Sequence, residues 1–137
     1  MLNRLDTAVG FYQEALSLRA QRQEILSSNI ANADTPGYKA RDFEFSTELR
    51  NALQGRGLQT TRTTELARTH NAHIPARATI VGPTHLKYRV PTQPALDGNT
   101  VDMDVERVNF AENTVRYQST LTLLSARIRS MLAAVQQ

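Results

Sequence analysis

Apolar side chains at both ends of the chain recur every three or four residues, the spacing of an amphipathic helix. Between about Leu2 and Ala33 they form two neighbouring stripes. The first consists of Leu2, Leu5, Val9, Tyr12, Leu16, Leu26 and Ile30, and the second of Ala8, Phe11, Ala15, Leu18 and Ile25. Arg19 and Gln23 interrupt the first stripe. The pattern predicts one long helix that is contacted on more than one side.

The C-terminal end carries the most regular pattern in the chain. Alternating steps of four and three residues join Phe110, Thr114, Tyr117, Leu121, Leu124, Ile128, Met131 and Val135. An unbroken heptad seam of this kind is typical of a helix that packs lengthwise on another helix. We predict a helix from about Asp104 to Gln137, with acidic residues at its start and Arg127 and Arg129 near its end, as the helix dipole favours.

Turn signals and a shorter amphipathic stretch follow the first helix. Pro36 biases Thr35 away from helical dihedrals, and Pro36 and Gly37 fit the central positions of a type II turn. A short helix is predicted from Asp42 to Gln54, with Asp42 as its N-cap. Its apolar face would contain Phe45, Leu49, Ala52 and Leu53.

Residues 58–99 show no sustained period, and four prolines break them. Two short segments, Ala78–Val81 and Leu86–Val90, are compatible with strands that form a hairpin around Gly82 and Pro83. Asp97, Gly98 and Asn99 predict a turn.

The predicted fold is therefore mainly α-helical. Residues 1–36 and 101–137 are expected to form two long terminal helices, packed antiparallel as a coiled-coil-like hairpin. Residues 37–100 would form a middle segment, with a short helix at 42–54 and irregular, hairpin-containing structure at 55–100. Because one such pair buries one face of each helix, the second stripe of the first helix must be covered by its own middle segment or by another subunit.

Composition narrows the function further. The chain has 137 residues, 40% apolar, and no cysteine, which excludes disulfides and thiolate metal sites. It contains no apolar run of the roughly 18 residues that span a membrane, and its N-terminus does not predict a cleaved signal peptide. The net charge is +3, and the excess of positive charge lies in the middle of the chain. Between Gly55 and Val90 one acidic residue, Glu65, accompanies six basic ones: Arg56, Arg62, Arg68, Arg77, Lys87 and Arg89. These residues are expected either to be solvated or to contact an acidic neighbour.

Small and amide side chains cluster where the first helix ends. Asn29 and Asn32 are placed either to hydrogen-bond across a helical interface or to cap the helix locally. The whole segment, Ser28-Asn-Ile-Ala-Asn-Ala-Asp-Thr-Pro-Gly-Tyr38, resembles the N-terminal signature of the flagellar axial proteins, the rod and hook subunits. Arg41–Phe45 and Asp97–Glu106, before the last helix, resemble the proximal rod subunits of that family, although another short rod subunit is the alternative.

The resemblance implies a structural role without catalysis or cofactors. Such proteins are exported by the flagellar type III apparatus without a cleaved signal peptide. They polymerise in the periplasm into a helical tube that transmits torque, and they contact copies of themselves, other rod proteins and an adaptor at the membrane ring. The resemblance assigns assembly to the signature residues Asn29, Asn32, Thr35, Pro36, Gly37 and Tyr38, and helix packing to the C-terminal seam.

Other classes of function have weaker support. A nucleic-acid-binding module would use the basic residues of the middle segment, but only Tyr88 accompanies them as a stacking platform. His70 and His73 have a His-x-x-His spacing, with His85 nearby, but they lie in a proline-broken stretch and not on the regular scaffold that a metal site needs. We therefore expect no nucleic-acid partner, no metal and no enzymatic activity.

Overall fold

The computed structural model describes residues 2–54, 64–65, 77–78, 86–91 and 95–135. In this part of the chain lie three helices, α1 (Leu2–Ala31), α2 (Phe45–Leu53) and α3 (Met103–Val135). The four strands are only two residues long: β1 (Arg41–Asp42), β2 (Thr64–Glu65), β3 (Arg77–Ala78) and β4 (Lys87–Tyr88). The prediction of a mainly helical fold is confirmed, and both long helices begin and end close to the predicted positions.

The two long helices pack against each other in antiparallel order. Near the end of α1, Asn29 donates a hydrogen bond to Glu106 at the start of α3 (3.3 Å). Earlier in α1, Gln23 donates one to Thr114, further along α3 (2.9 Å). Residues earlier in α1 thus contact residues later in α3, as an antiparallel hairpin requires. With 30 residues at about 1.5 Å each, α1 is about 45 Å long.

The buried face of α1 draws on both of the predicted stripes. Ala15 and Leu18 belong to the second stripe and Leu26 to the first, and all three are at most 5% exposed. Asn29, with no exposure, continues this face, and the half-buried Arg22 lies between Leu18 and Leu26. A pattern that counts only apolar residues misses this line because two of its members are polar.

The predicted turn after α1 is present. The N–H of Tyr38 donates to the carbonyl of Thr35 (3.2 Å), and Gly37 at the third position has φ +72°. This is a type II turn, in which glycine at that position avoids the Cβ clash of a positive φ.

Asn99 links the end of α1 to the start of α3. Its side-chain amide donates to three carbonyl oxygens, those of Asn32 (3.1 Å), Ala33 (2.7 Å) and Thr35 (3.0 Å). Its side-chain oxygen accepts the N–H of Val101 (2.8 Å). Carbonyls at a helix C-terminus lack partners within the helix, and Asn99 provides them from the segment that leads into α3. Asp102 then caps α3, since its carboxylate accepts the N–H groups of Asp104 and Val105.

The prediction that Asp42 caps α2 is wrong. The helix begins at Phe45, with Glu44 in the N-cap position, and Asp42 lies in β1. The carboxylate of Asp42 binds the guanidinium of Arg22 from 2.8 Å. The charge of a partly buried carboxylate must be compensated, and a guanidinium does this more effectively than the N–H groups at the start of a helix.

The predicted pairing of Ala78–Val81 with Leu86–Val90 is also wrong for the described residues. Ala78 pairs with Thr64 in the antiparallel ladder of β2 and β3. Lys87 and Tyr88 pair with β1, so β4 lies beside the segment that leaves α1. The proposed turn at Gly82 and Pro83 lies outside the described residues.

We predict that Asn99→Ala lowers the free energy of unfolding by about 2 kcal/mol, because three carbonyls at the end of α1 lose a buried donor. Thermal or chemical denaturation of the full chain measures this effect. Gln118→Ala, which removes an exposed amide from α3, should change the same quantity by less than about 0.5 kcal/mol. Equal effects of the two substitutions would show that Asn99 does not hold the helix ends together.

Candidate functional site

The heptad seam of α3 is covered unevenly. Phe110, Thr114 and Tyr117 are half-buried. Further along the helix Leu121 is 40%, Ile128 42% and Val135 82% exposed, and Leu124 and Met131 are intermediate. Leu123 and Leu132 add exposed apolar surface to the same half of the helix. The seam therefore continues beyond the part that the described residues of the chain cover.

A groove accompanies the covered part of the seam. It has a volume of about 350 Å³ and lies between α1 and α3, lined by Arg19, Ala20, Gln23, Glu24, Ser27, Thr114 and Tyr117. Arg19 at its edge stacks its guanidinium on the ring of Phe45 at 4.2 Å, which attaches α2 to α1.

The side-chain amide of Asn29 forms the hydrogen bonds that a neighbouring strand would otherwise make with β1. Its side-chain oxygen accepts the N–H of Arg41 (3.2 Å) and its amide nitrogen donates to the carbonyl of the same residue (2.8 Å). These are the two groups of Arg41 that point away from β4, because the neighbouring residue Ala40 accepts the N–H of Arg89. Tyr38 also donates its hydroxyl to Asn29 (3.3 Å). One buried amide thus fixes the path of the chain after the turn.

The remaining signature residues make local contacts. Asn32 donates to the carbonyl of Ser28 (2.8 Å) and accepts the hydroxyl of Thr35 (3.2 Å). Its side chain therefore caps the helix end, as the local alternative predicted. Thr35, Pro36 and Gly37 are exposed, so the turn itself forms surface at this end of the helix pair.

Five polar side chains, which we call the polar junction, meet where α1, β1, β4 and α3 come together: Arg22, Asn29, Asp42, Arg89 and Glu106. The carboxylate of Asp42 accepts two hydrogen bonds from the guanidinium of Arg22 (3.0 and 2.8 Å) and a third from Arg89 (2.6 Å). Arg89 also lies 2.8 Å from Glu106. Two guanidinium groups and two carboxylates leave the cluster with no net formal charge.

Glu106 is the least accessible charge of the junction, with no exposed surface. Its Oε2 accepts the amide of Asn29, whereas its Oε1 makes an ion pair with Arg89 without the alignment of a hydrogen bond. Burial therefore raises the pKa of Glu106, and Arg89 and Asn29 compensate only in part.

Asp42 shows the opposite balance. Burial disfavours its ionised form, but the hydrogen bond and charge of Arg22, the N–H of Phe43 and the charge of Arg89 outweigh burial, so the pKa of Asp42 is lowered. The two carboxylates of one cluster are thus shifted in opposite directions, because Asp42 has two guanidinium partners and Glu106 has one.

The sequence pattern missed most of these contacts. Glu106 and Asn113 are the buried residues of α3, and Asn113 donates to the carbonyl of Arg19 and to the side chain of Gln23. They stand seven residues apart beside the seam. This heptad spacing of two polar residues was the feature of the sequence that could have predicted their burial against α1.

The expectation that the basic residues of the middle segment are solvated or contact an acidic neighbour does not hold for Arg89, whose guanidinium pairs with Asp42 and Glu106 of its own chain. Lys87 is exposed. Arg56, Arg62 and Arg68, like His70, His73 and His85, lie outside the described residues, as does the side chain of Arg77. Among the residues that are described, no three potential metal ligands come together, and no helix has the length and apolar character of a membrane span.

A family model described as "Flagella basal body rod protein" matches residues 11–39. This stretch contains the buried face of α1 and the whole signature turn. A similar protein is the "Flagellar basal body rod protein FlgB" of Escherichia coli (strain K12), 54% identical over 136 residues that cover 99% of this chain and 98% of the relative. The chain belongs to the FlgB family of flagellar basal body rod proteins.

Proteins of the same name in other organisms match with similar coverage. The protein of the same name from Salmonella typhimurium is 54% identical over 99% of this chain. The one from Cereibacter sphaeroides is 49% identical over 128 residues, 93% of each chain. FlgB proteins are structural rod subunits and not enzymes, so the geometry above serves packing and not catalysis.

We predict that Asp42→Asn removes part of the acid sensitivity of the fold. Because the pKa of Asp42 is lowered, its stabilising contribution is complete above about pH 4 and is lost as the pH falls through the folded-state pKa. Chemical denaturation from about pH 2 to neutrality should give the wild type the steeper acid slope, by at most about 1.4 kcal/mol per pH unit.

Two further variants check this assignment. Asp34→Asn, at an exposed position, should leave the acid slope unchanged. Glu106→Gln should change the pH dependence of stability in the opposite direction. Because burial raises the pKa of Glu106, its stabilising contribution is complete below about pH 4.3 and is lost as the pH rises through the folded-state pKa. An Asp42→Asn chain with the acid slope of the wild type would contradict the role of the ion pairs.

Proposed function

We propose that the chain is a structural subunit of the proximal rod, which self-assembles through its terminal helices into a helical tube in the periplasm and transmits torque. Family membership supports the rod. The observation that supports assembly through the helices is the exposed half of the α3 seam, at Leu121, Ile128 and Val135. Solvent-exposed apolar side chains with heptad spacing favour association with another helix.

The energy available at this surface is substantial. Complete burial of a fully exposed aliphatic side chain of this size is worth about 1.5–3 kcal/mol, and side chains that are 40–42% exposed, such as Leu121 and Ile128, contribute a corresponding fraction of it. Leu123 and Leu132, 57% and 55% exposed, would widen the contact beyond a single line. Val108 and Val115 are also exposed in the first half of α3, but the exposed half of the seam is where the heptad pattern itself has no cover from the described residues.

The signature residues have a place in this proposal. Asn29 and Tyr38 fix the shape of each subunit, whereas Thr35, Pro36 and Gly37 present the exposed turn at one end of the helix pair. The partners are further copies of the chain, other rod proteins and an adaptor at the membrane ring, and the type III export apparatus delivers the subunits. In this proposal Asn29 and Tyr38 stabilise the fold of each subunit, and the exposed turn contacts neighbouring subunits.

We predict that Ile128→Asp prevents rod assembly while the isolated chain keeps its fold. Ile128 is 42% exposed in the single chain, so a carboxylate there remains solvated until a neighbour covers it, when it costs several kcal/mol. Bacteria that lack the native gene, complemented with the variant, should be non-motile and lack rods in isolated basal bodies.

A control on the same helix separates assembly from folding. Thr122→Asp introduces the same charge at an exposed position outside the seam and should support motility. Circular dichroism of both purified variants should match the wild type. Normal rods built from Ile128→Asp subunits would show that the seam is not a contact surface.

A further inference from the structure

Residue 89 is the point at which the middle of the chain contacts the junction of the two long helices. Its backbone N–H donates to the carbonyl of Ala40 (2.9 Å). Its two terminal nitrogens separate, one lying 2.6 Å from Asp42 and the other 2.8 Å from Glu106. A single side chain thus connects the segment after β4 to β1 and to α3.

We propose that Arg89 couples the docking of residues 86–90 to the closure of α1 on α3, so that neither arrangement is stable alone. Arg22 pairs with Asp42, whereas Arg89 is the guanidinium that reaches Glu106. If the helices closed without residue 89, Glu106 would be a buried carboxylate near a second carboxylate with no paired cation. Breaking a buried ion pair in this way is strongly unfavourable.

The dependence also runs from the helices to the middle segment. β4 has two residues, and the side chains that flank Arg89 contribute little burial, since Tyr88 is 72% and Val90 85% exposed. Leu86, 43% exposed, is the one apolar side chain of residues 86–90 that is more than half buried. Besides Leu86 and the backbone hydrogen bond to Ala40, the segment is held by the pair of carboxylates that closure of α1, β1 and α3 brings together. A force or a neighbour that displaced residue 89 would loosen the helix pair near Asn29.

Hydrogen exchange of the full chain tests the coupling. Arg89→Met should lower the protection of amides in α1 near Asn29 and in α3 between Glu106 and Asn113 by about a hundredfold, the loss expected for an uncompensated buried charge. Lys87→Met is the matched control, because it removes an exposed cation two residues earlier in the same segment. It should leave helix protection within about twofold of the wild type.

A second variant shows whether the effect passes through Glu106. Arg89→Met combined with Glu106→Met removes the unpaired carboxylate and should restore most of the helix protection. Loss of protection confined to residues 40–42 and 86–90 in Arg89→Met would overturn the coupling. No recovery in the double variant would also overturn it, as would a wild-type chain whose helices exchange like an unfolded peptide.

Discussion

A carboxylate without solvent exposure lies between the two long helices, and the need to compensate its charge determines much of the surrounding structure. Glu106 receives an amide hydrogen from α1 and a guanidinium from the segment after β4. The guanidinium can reach it only if β4 lies beside β1, and β1 is held in place by the amide of Asn29. Elements separated in sequence by up to 77 residues are thus ordered around one buried charge.

A polar centre of this kind specifies register more sharply than the apolar contacts do. The buried apolar residues of the described chain are few: Ala15, Leu18, Leu26, Ala40 and Phe43. A seam with heptad spacing looks alike after a shift of seven residues, so apolar packing alone would tolerate such a slip. The same slip would place Asn113 where Glu106 lies, and Arg89 would then face a neutral amide. Asn99, which joins the helix ends, adds a second restriction on sliding.

Local signals made the helices and the turn predictable from sequence. The spacing of apolar residues, the Pro36–Gly37 pair and the acidic start of α3 each act within a few residues, and all three appear where the sequence predicts them. The polar junction was not predictable in this way, because its members are polar and distant in sequence. Asp42 illustrates the conflict: by local rules it is a good N-cap, yet a guanidinium 20 residues earlier takes its carboxylate. β4 was placed almost correctly, but its partner was not, since strand pairing between distant segments leaves no periodic trace.

If subunits associate along the exposed seam, the two ends of α3 have different roles, and this division limits how one subunit can recognise another. The side chains of Glu106 and Asn113 are buried and used inside the chain, so these two residues are not available to select a neighbour. From Leu121 onward the exposed side chains of the seam are aliphatic, and aliphatic contacts discriminate by shape and position instead of by charge pairing. If subunits associate along this seam, the accuracy of their arrangement must come from the rigidity of each helix pair. The polar junction, which fixes that pair from within, would then control assembly without touching a neighbouring subunit.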